Sequence, residues 1–235
     1  MINSPALIAY IWGKYDWPVR ALLNKEVLIK RVSKIKSIAD SNNSNKKFYI
    51  IARAGGPAGL FSYVLTATAQ ILYAISKGMI PVVDMQNYEN LYLEIDIFGK
   101  ENAWEYYFKQ PCGYRLKDMD KCNYIYSDLY IWQKILPFDM NTNRNQYNKY
   151  HHLWYILYSN FLSLSEDAKK FVEHEYNRLI KPGMRILGVY YRGKDYIENR
   201  SKNQLIQPSV FEMIEKVSTV YRNGSGTSIT FVRIL

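Results

Sequence analysis

Most residue patterns that would declare a chemistry outright are missing from this 235-residue chain. It has only two cysteines, Cys112 and Cys122. That excludes a disulfide framework and a cysteine zinc site, and makes two free thiols the expectation. It has three histidines, and the adjacent pair His151 and His152 would point apart on a helix. There is no His-x-x-x-His spacing and no carboxylate cluster, so no metal is expected. No apolar run reaches the roughly 18 to 20 residues that a membrane span needs. Residues 2–12 are apolar but too short, and they lack the basic start and small-residue cleavage site of a signal peptide. A cytoplasmic protein is the expectation. Acidic residues are scarce too: 21 Asp and Glu against 31 Lys and Arg leave a net charge of +10.

What is present suffices for a folded core, with 48% hydrophobic residues. The basic excess is concentrated at the start, at Lys14, Arg20, Lys25, Lys30, Arg31, Lys34, Lys36, Lys46 and Lys47, against Asp16, Glu26 and Asp40. The rest of the chain is only mildly basic, so nucleic acid is not the favoured partner. Residues 19–39 predict an amphipathic helix, because Val19, Leu22, Leu23, Leu28, Val32, Ile35 and Ile38 recur near helical spacing. Such a helix either lies on anionic lipid or packs on the domain with its lysines in water, the commoner arrangement. The 22 tyrosines, with abundant Asn, Lys and Ile, fit the codon usage of an AT-rich genome and carry no functional weight.

Beyond a polar loop at 40–47, the pattern changes. Residues 48–51 predict a short buried strand, Arg53 to Gly59 a glycine-rich loop, 60–76 a helix capped by Gly78, and 79–84 a second strand. This order is a Rossmann-like opening unit. The loop is neither Gly-x-Gly-x-x-Gly nor a P-loop. Its glycines are either a cleft lining or a tight turn. Residues 102–114 are rich in aromatics and amides, a composition that can stack on a sugar and bond its hydroxyls. The competing reading is a helix buried through Trp104, Tyr107 and Phe108. Residues 153–162 and 165–180 predict helices, the second opened by Ser165, Glu166 and Asp167.

The most informative stretch runs from Arg185 to Tyr196. Lys181, Pro182 and Gly183 reset the chain, residues 186–191 read as a buried strand, and Arg192, Gly193, Lys194 and Asp195 follow at once. An Arg beside a Gly at the carboxyl end of a strand suits a phosphate; the plainer reading is a solvated turn with Arg192 and Asp195 paired. The segment resembles the His-x-Arg-Gly-Thr-Asp-Tyr motif of the fucosyltransferase superfamily, in particular its bacterial members associated with surface polysaccharides. Tyr190 stands where His is usual and Lys194 where Thr is usual. Residues 102–114 resemble the Trp-x-Tyr-x-Phe-x-Gln-Pro stretch of the same branch. The glycine loop also corresponds in place, with Pro57, Ala58 and Gly59 where an Asn commonly follows the glycines.

The resemblance implies an α/β protein: a Rossmann-like first domain of a GT-B glycosyltransferase, then the start of a second Rossmann-like domain. The expected division is a basic helical segment and loop at 1–47, the acceptor-side domain at 48–180 and the nucleotide-sugar side at 181–235. By the same resemblance, Arg192, Gly193, Lys194, Asp195 and Tyr196 hold a GDP-sugar donor, with Arg192 stabilising the leaving diphosphate. Gly55, Gly56, Gly59 and Phe61 line the cleft. Fucose would pass from GDP-fucose to a glycan acceptor without a metal cofactor; the basic helix at 19–39 adds to the cytoplasmic expectation a peripheral contact with the inner face of the membrane. Residues 208–222 add a capped helix, with Ser209 and Glu212 three apart, and 229–235 a last strand. No acidic strand end follows, so a donor domain cut short and an inactive chain are expected. The alternative is a non-catalytic basic protein that binds nucleic acid or anionic membrane.

Overall fold

The computed structural model describes residues 21–22, 24–42, 45–53, 58–119, 122–127, 144–183 and 208–223. The chain divides into two compact units, Met1–Lys169 and Lys170–Leu235. In chain order the elements are α1 (Lys25–Asp40), β1 (Lys47–Ala52), α2 (Leu60–Ser76), β2 (Ile80–Asp84), the single turn α3 (Trp104–Tyr107), β3 (Asn123–Tyr126), α4 (Arg144–Phe161), α5 (Glu166–Leu179) and α6 (Val210–Asn223), with short 3-10 turns at Ile95–Ile97 and Leu116–Met119. The strands form one parallel sheet in the order β2-β1-β3. The protein is therefore a mixed α/β structure with a small parallel sheet.

Both faces of β1 and β2 are covered, as parallel sheets require, whereas β3 is exposed. Tyr49 and Ile51 of β1 join Val83 in a core built with α1, α2 and α4, while Phe48 and Ile50 join Ile80, Val82 and Met119 in a second core. The alternation follows from the two-residue period of a strand. Helix α2 carries almost no polar surface: Val64, Ala67, Ile71, Leu72 and Ile75 are all buried. It ends in a Schellman arrangement, with Gly78 at φ +72°, the Gly78 N–H on the Ile75 carbonyl at 3.2 Å and the Met79 N–H on the Ala74 carbonyl at 3.0 Å. Its predicted limits agree with those observed.

Helix α1 starts later than its periodicity predicts. The Asn24 side chain caps it, accepting from the N–H groups of Glu26 at 3.0 Å and Val27 at 3.2 Å. Leu28, Val32, Ile35 and Ala39 are buried, so the helix packs on the first unit rather than standing apart from it. Helix α4 begins at Arg144, well before the predicted residue 153. The predicted helix across the aromatic stretch shrinks to one turn, α3. Its chain instead leaves at Phe108, which bridges to Leu164 in antiparallel fashion. Strand β3 escapes sequence reading altogether. It has four residues, all exposed, and they do not alternate apolar with polar.

Candidate functional site

Two places on the first unit gather chemistry. One is the carboxyl end of the sheet, where ligands sit in open α/β folds. Arg53 leaves β1 there and donates from Nη1 to Ser62 Oγ at 2.7 Å, with its guanidinium 5.0 Å from the centre of the Tyr63 ring. Tyr63 is buried, and burial pushes its phenol above the usual range, partly offset by Arg53. Its hydroxyl has no hydrogen-bond partner among the described residues. Asp84 closes β2, accepting at one oxygen from the N–H groups of Gln86 at 2.9 Å and Asn87 at 3.1 Å, and at the other from Asn87 Nδ2 at 2.9 Å. That turn is self-satisfied, and its carboxylate serves structure.

Gly59 is the N-cap of α2 at φ −64°, an angle open to any residue, and a Cβ there would meet nothing within 4 Å. Tight packing within the described residues therefore does not explain this glycine. Phe61 follows, 78% exposed. Gly55 and Gly56 lie outside the described residues, as do Arg192, Gly193, Lys194, Asp195 and Tyr196.

The second place is a cleft of about 550 Å³ on the opposite side of the sheet from α2. Ile50, Tyr124 and Tyr126 form one wall, and the segments around Gln86, Glu105 and Arg115 form the others. The register pairs Phe48 with Tyr124 and Ile50 with Tyr126, which places both tyrosines on the face of the second core. Their rings meet at 84° with centroids 5.7 Å apart. Glu105 pairs with Arg115, Oε2 to Nε at 3.2 Å, and accepts from Gln110 Nε2 at 3.2 Å. Tyr106 donates to Glu101 Oε2 at 2.6 Å, and that bond to a carboxylate, with burial second, pushes its phenol up to about 12. Burial also raises Tyr126 above the ordinary phenol value. These two phenols stay protonated in the neutral range and act as hydroxyl groups, not as bases.

The amides of the aromatic stretch have a structural task. Gln110 takes the Val83 N–H on Oε1 at 2.8 Å and gives Nε2 to the Val83 carbonyl at 2.9 Å. Asn102 gives Nδ2 to the same carbonyl at 2.7 Å and accepts the Met85 N–H at 3.0 Å. The two side chains thus occupy the outer edge of β2, which would otherwise present unpaired backbone groups. Trp104 is fully buried beneath them. The exposed aromatics that line the cleft are Tyr124 and Tyr126 of β3 and, from the aromatic stretch itself, Tyr106. The two-residue spacing of Tyr124 and Tyr126 is the signal that could have placed them on one face of a strand.

His151 is exposed and His152 half-buried on α4. Cys112 and Cys122 are both free and half-buried, and burial pushes the Cys112 thiol up to about 12. No helix among the described residues is long and apolar enough to cross a membrane. Comparison of the chain with family models, curated proteins and solved structures finds no match.

Proposed function

We propose that this protein is glycosyltransferase-like, of the fucosyltransferase type that moves fucose from GDP-fucose to a glycan hydroxyl. The observation that carries the reading is the motif ending in Arg192, Gly193, Lys194, Asp195 and Tyr196, placed in sequence after a parallel βαβ unit with a glycine-rich turn. On this reading GDP leaves as the sugar is transferred. Arg192 stabilises the charge developing on the diphosphate, a fixed donor aimed where negative charge grows. Gly59 and Phe61, at the start of α2, border the cleft in which the reaction takes place. Calorimetric titration with GDP tests the assignment. Arg192→Ala is expected to weaken GDP binding by about 1.5 to 3 kcal/mol, the range for a hydrogen bond to a charged group. Equal affinity in the variant removes Arg192 from the site, and no binding to the unaltered protein sinks the transferase reading.

A second reading, peripheral contact with an anionic membrane at its inner face, rests on α1. With Leu28, Val32 and Ile35 turned to the core, the outward side shows Lys25, Lys30, Arg31 and Lys34 beside exposed Val27 and Ile29. Basic residues near an anionic surface contribute about 1 kcal/mol each at low salt. Sedimentation with phosphatidylserine vesicles is expected, and the pair Lys30→Glu and Lys34→Glu should abolish it. Equal sedimentation by the double variant would leave α1 a packing helix only.

A further inference from the structure

The tyrosine-walled cleft plays no part in the donor reading. We propose that it is a saccharide-binding site, holding a neutral oligosaccharide of two or three rings against Tyr106, Tyr124 and Tyr126. The inference goes beyond the transferase reading and does not need it, because a saccharide held on this flank of the sheet requires no nucleotide.

Size and charge narrow the ligand. A cavity of about 550 Å³ lies within the roughly 300 to 1,000 Å³ of small-molecule sites. Lys100, Arg115 and Lys117 on its walls are nearly balanced by Glu101 and Glu105. An anion site would carry an uncompensated cationic excess, and a cation site converging carboxylates. Here both carboxylates are already engaged, Glu101 by Tyr106 and Glu105 by Arg115 and Gln110. The lining therefore carries a net charge of only +1, three cations against two carboxylates, and offers mostly hydroxyl-seeking groups.

Chemistry narrows it further. Tyrosine offers an apolar ring and a polar tip with little rotamer entropy to lose. Two rings at 84° form a corner, with the exposure of Tyr124 at 48% and Tyr126 at 42%. The C–H faces of a pyranose suit such rings, while its rim of hydroxyls needs planar donors and acceptors. Arg115 is anchored through Nε on Glu105, and its terminal nitrogens have no partner among the described residues. Asn87 gives its Nδ2 to Asp84 and keeps its carbonyl oxygen as an acceptor. Tyr106 holds its hydroxyl in place through Glu101 and remains protonated across the neutral range.

Saturation-transfer NMR of the whole chain with chitotriose, maltotriose and mannotriose tests the proposal, with a heparin hexasaccharide and GDP as charged controls. At least one neutral trisaccharide should receive saturation. Its affinity should fall about tenfold in Tyr126→Ala, the loss of one stacked ring, and fall also in Arg115→Ala, while Tyr126→Phe stays within about threefold of the parent. If circular dichroism shows that Tyr126→Ala does not fold, the exposed Arg115→Ala decides. Absence of transfer to all three neutral sugars overturns the proposal, as does unchanged affinity in the folded alanine variants. Preference for the heparin fragment overturns it in favour of an anion site, and displacement of the sugar by GDP overturns it in favour of a nucleotide site. Loss of GDP binding in Arg192→Ala with sugar binding intact would separate the two sites.

Discussion

Asn102 shows how one buried side chain can govern an edge. Its exposure is 8%, and its oxygen accepts from the N–H groups of Met85 at 3.0 Å and Trp104 at 3.2 Å. Alanine there would strand both donors in the interior. The Val83 carbonyl would keep Gln110 and remain satisfied. At about 1 to 3 kcal/mol for each of the two stranded groups, Asn102→Ala is expected to cost about 2 to 6 kcal/mol in urea unfolding. That is a large share of the roughly 5 to 15 kcal/mol of a typical domain. A loss under about 0.5 kcal/mol would show that water reaches those amides. Sequence reading left this residue between a sugar-contacting stretch and a buried helix, since a polar amide among aromatics suits either role. Only the position of β2 separates the two.

At the scale of elements, the helices are decided by their ends. Ser165 caps α5, with its hydroxyl 3.2 Å from the Ala168 N–H. Ser209 and Glu212 form a reciprocal box on α6: the Glu212 N–H reaches Ser209 Oγ at 3.2 Å, and the Ser209 N–H reaches the Glu212 carboxylate at 2.7 Å. That backbone bond, and then the Ser209 hydroxyl, hold the Glu212 carboxyl below the usual carboxylate range. A folded value below the unfolded one means that the stabilisation is fully present above the unfolded value and is lost as pH falls through the folded one. The Ser209 amide resonance should therefore titrate with Glu212 in the acid range, and Glu212→Gln should abolish that titration while keeping the helix. An unchanged titration in the variant would assign it to another carboxyl. These caps were legible in the sequence because Ser-x-x-Glu is contained in four consecutive residues. The extent of α4 was not, since its first turns lack the apolar spacing that marks residues 153–161.

For the molecule as a whole, burial is uneven, and exchange rates should follow it. Strands β1 and β2 are buried on both faces and α2 almost all round. Helix α5 has no buried residue, with Phe171, Val172 and Tyr176 at 67%, 50% and 59% exposure. Amides of β1, β2 and α2 are expected to exchange with deuterium only through global opening, and those of α5 through cheaper local opening. Equal protection of α5 and β1 would show that α5 is as firmly held as the sheet. The two-sided burial of β1 and β2 is also why they could be read as continuous apolar runs.

The sequence by itself determined what is written in a few adjacent residues. Helix α2 over 60–76, its stop at Gly78 and the Ser209 cap rest on contacts within a turn or two, and β1 and β2 show as apolar runs, so local pattern suffices to find them. Tertiary structure alone decided the rest. Gln110 meets Val83 across 27 positions and Ser127 Oγ meets the Ala52 N–H across 75. No local period encodes such meetings. The tyrosine-walled cleft exists because a third short strand pairs with β1 and brings Tyr124 and Tyr126 to the same side of the sheet as Ile50, facing a segment that the sequence reads only as aromatic. Chain connectivity determines which residues are neighbours along the strand; the burial of the sheet determines which of them meet.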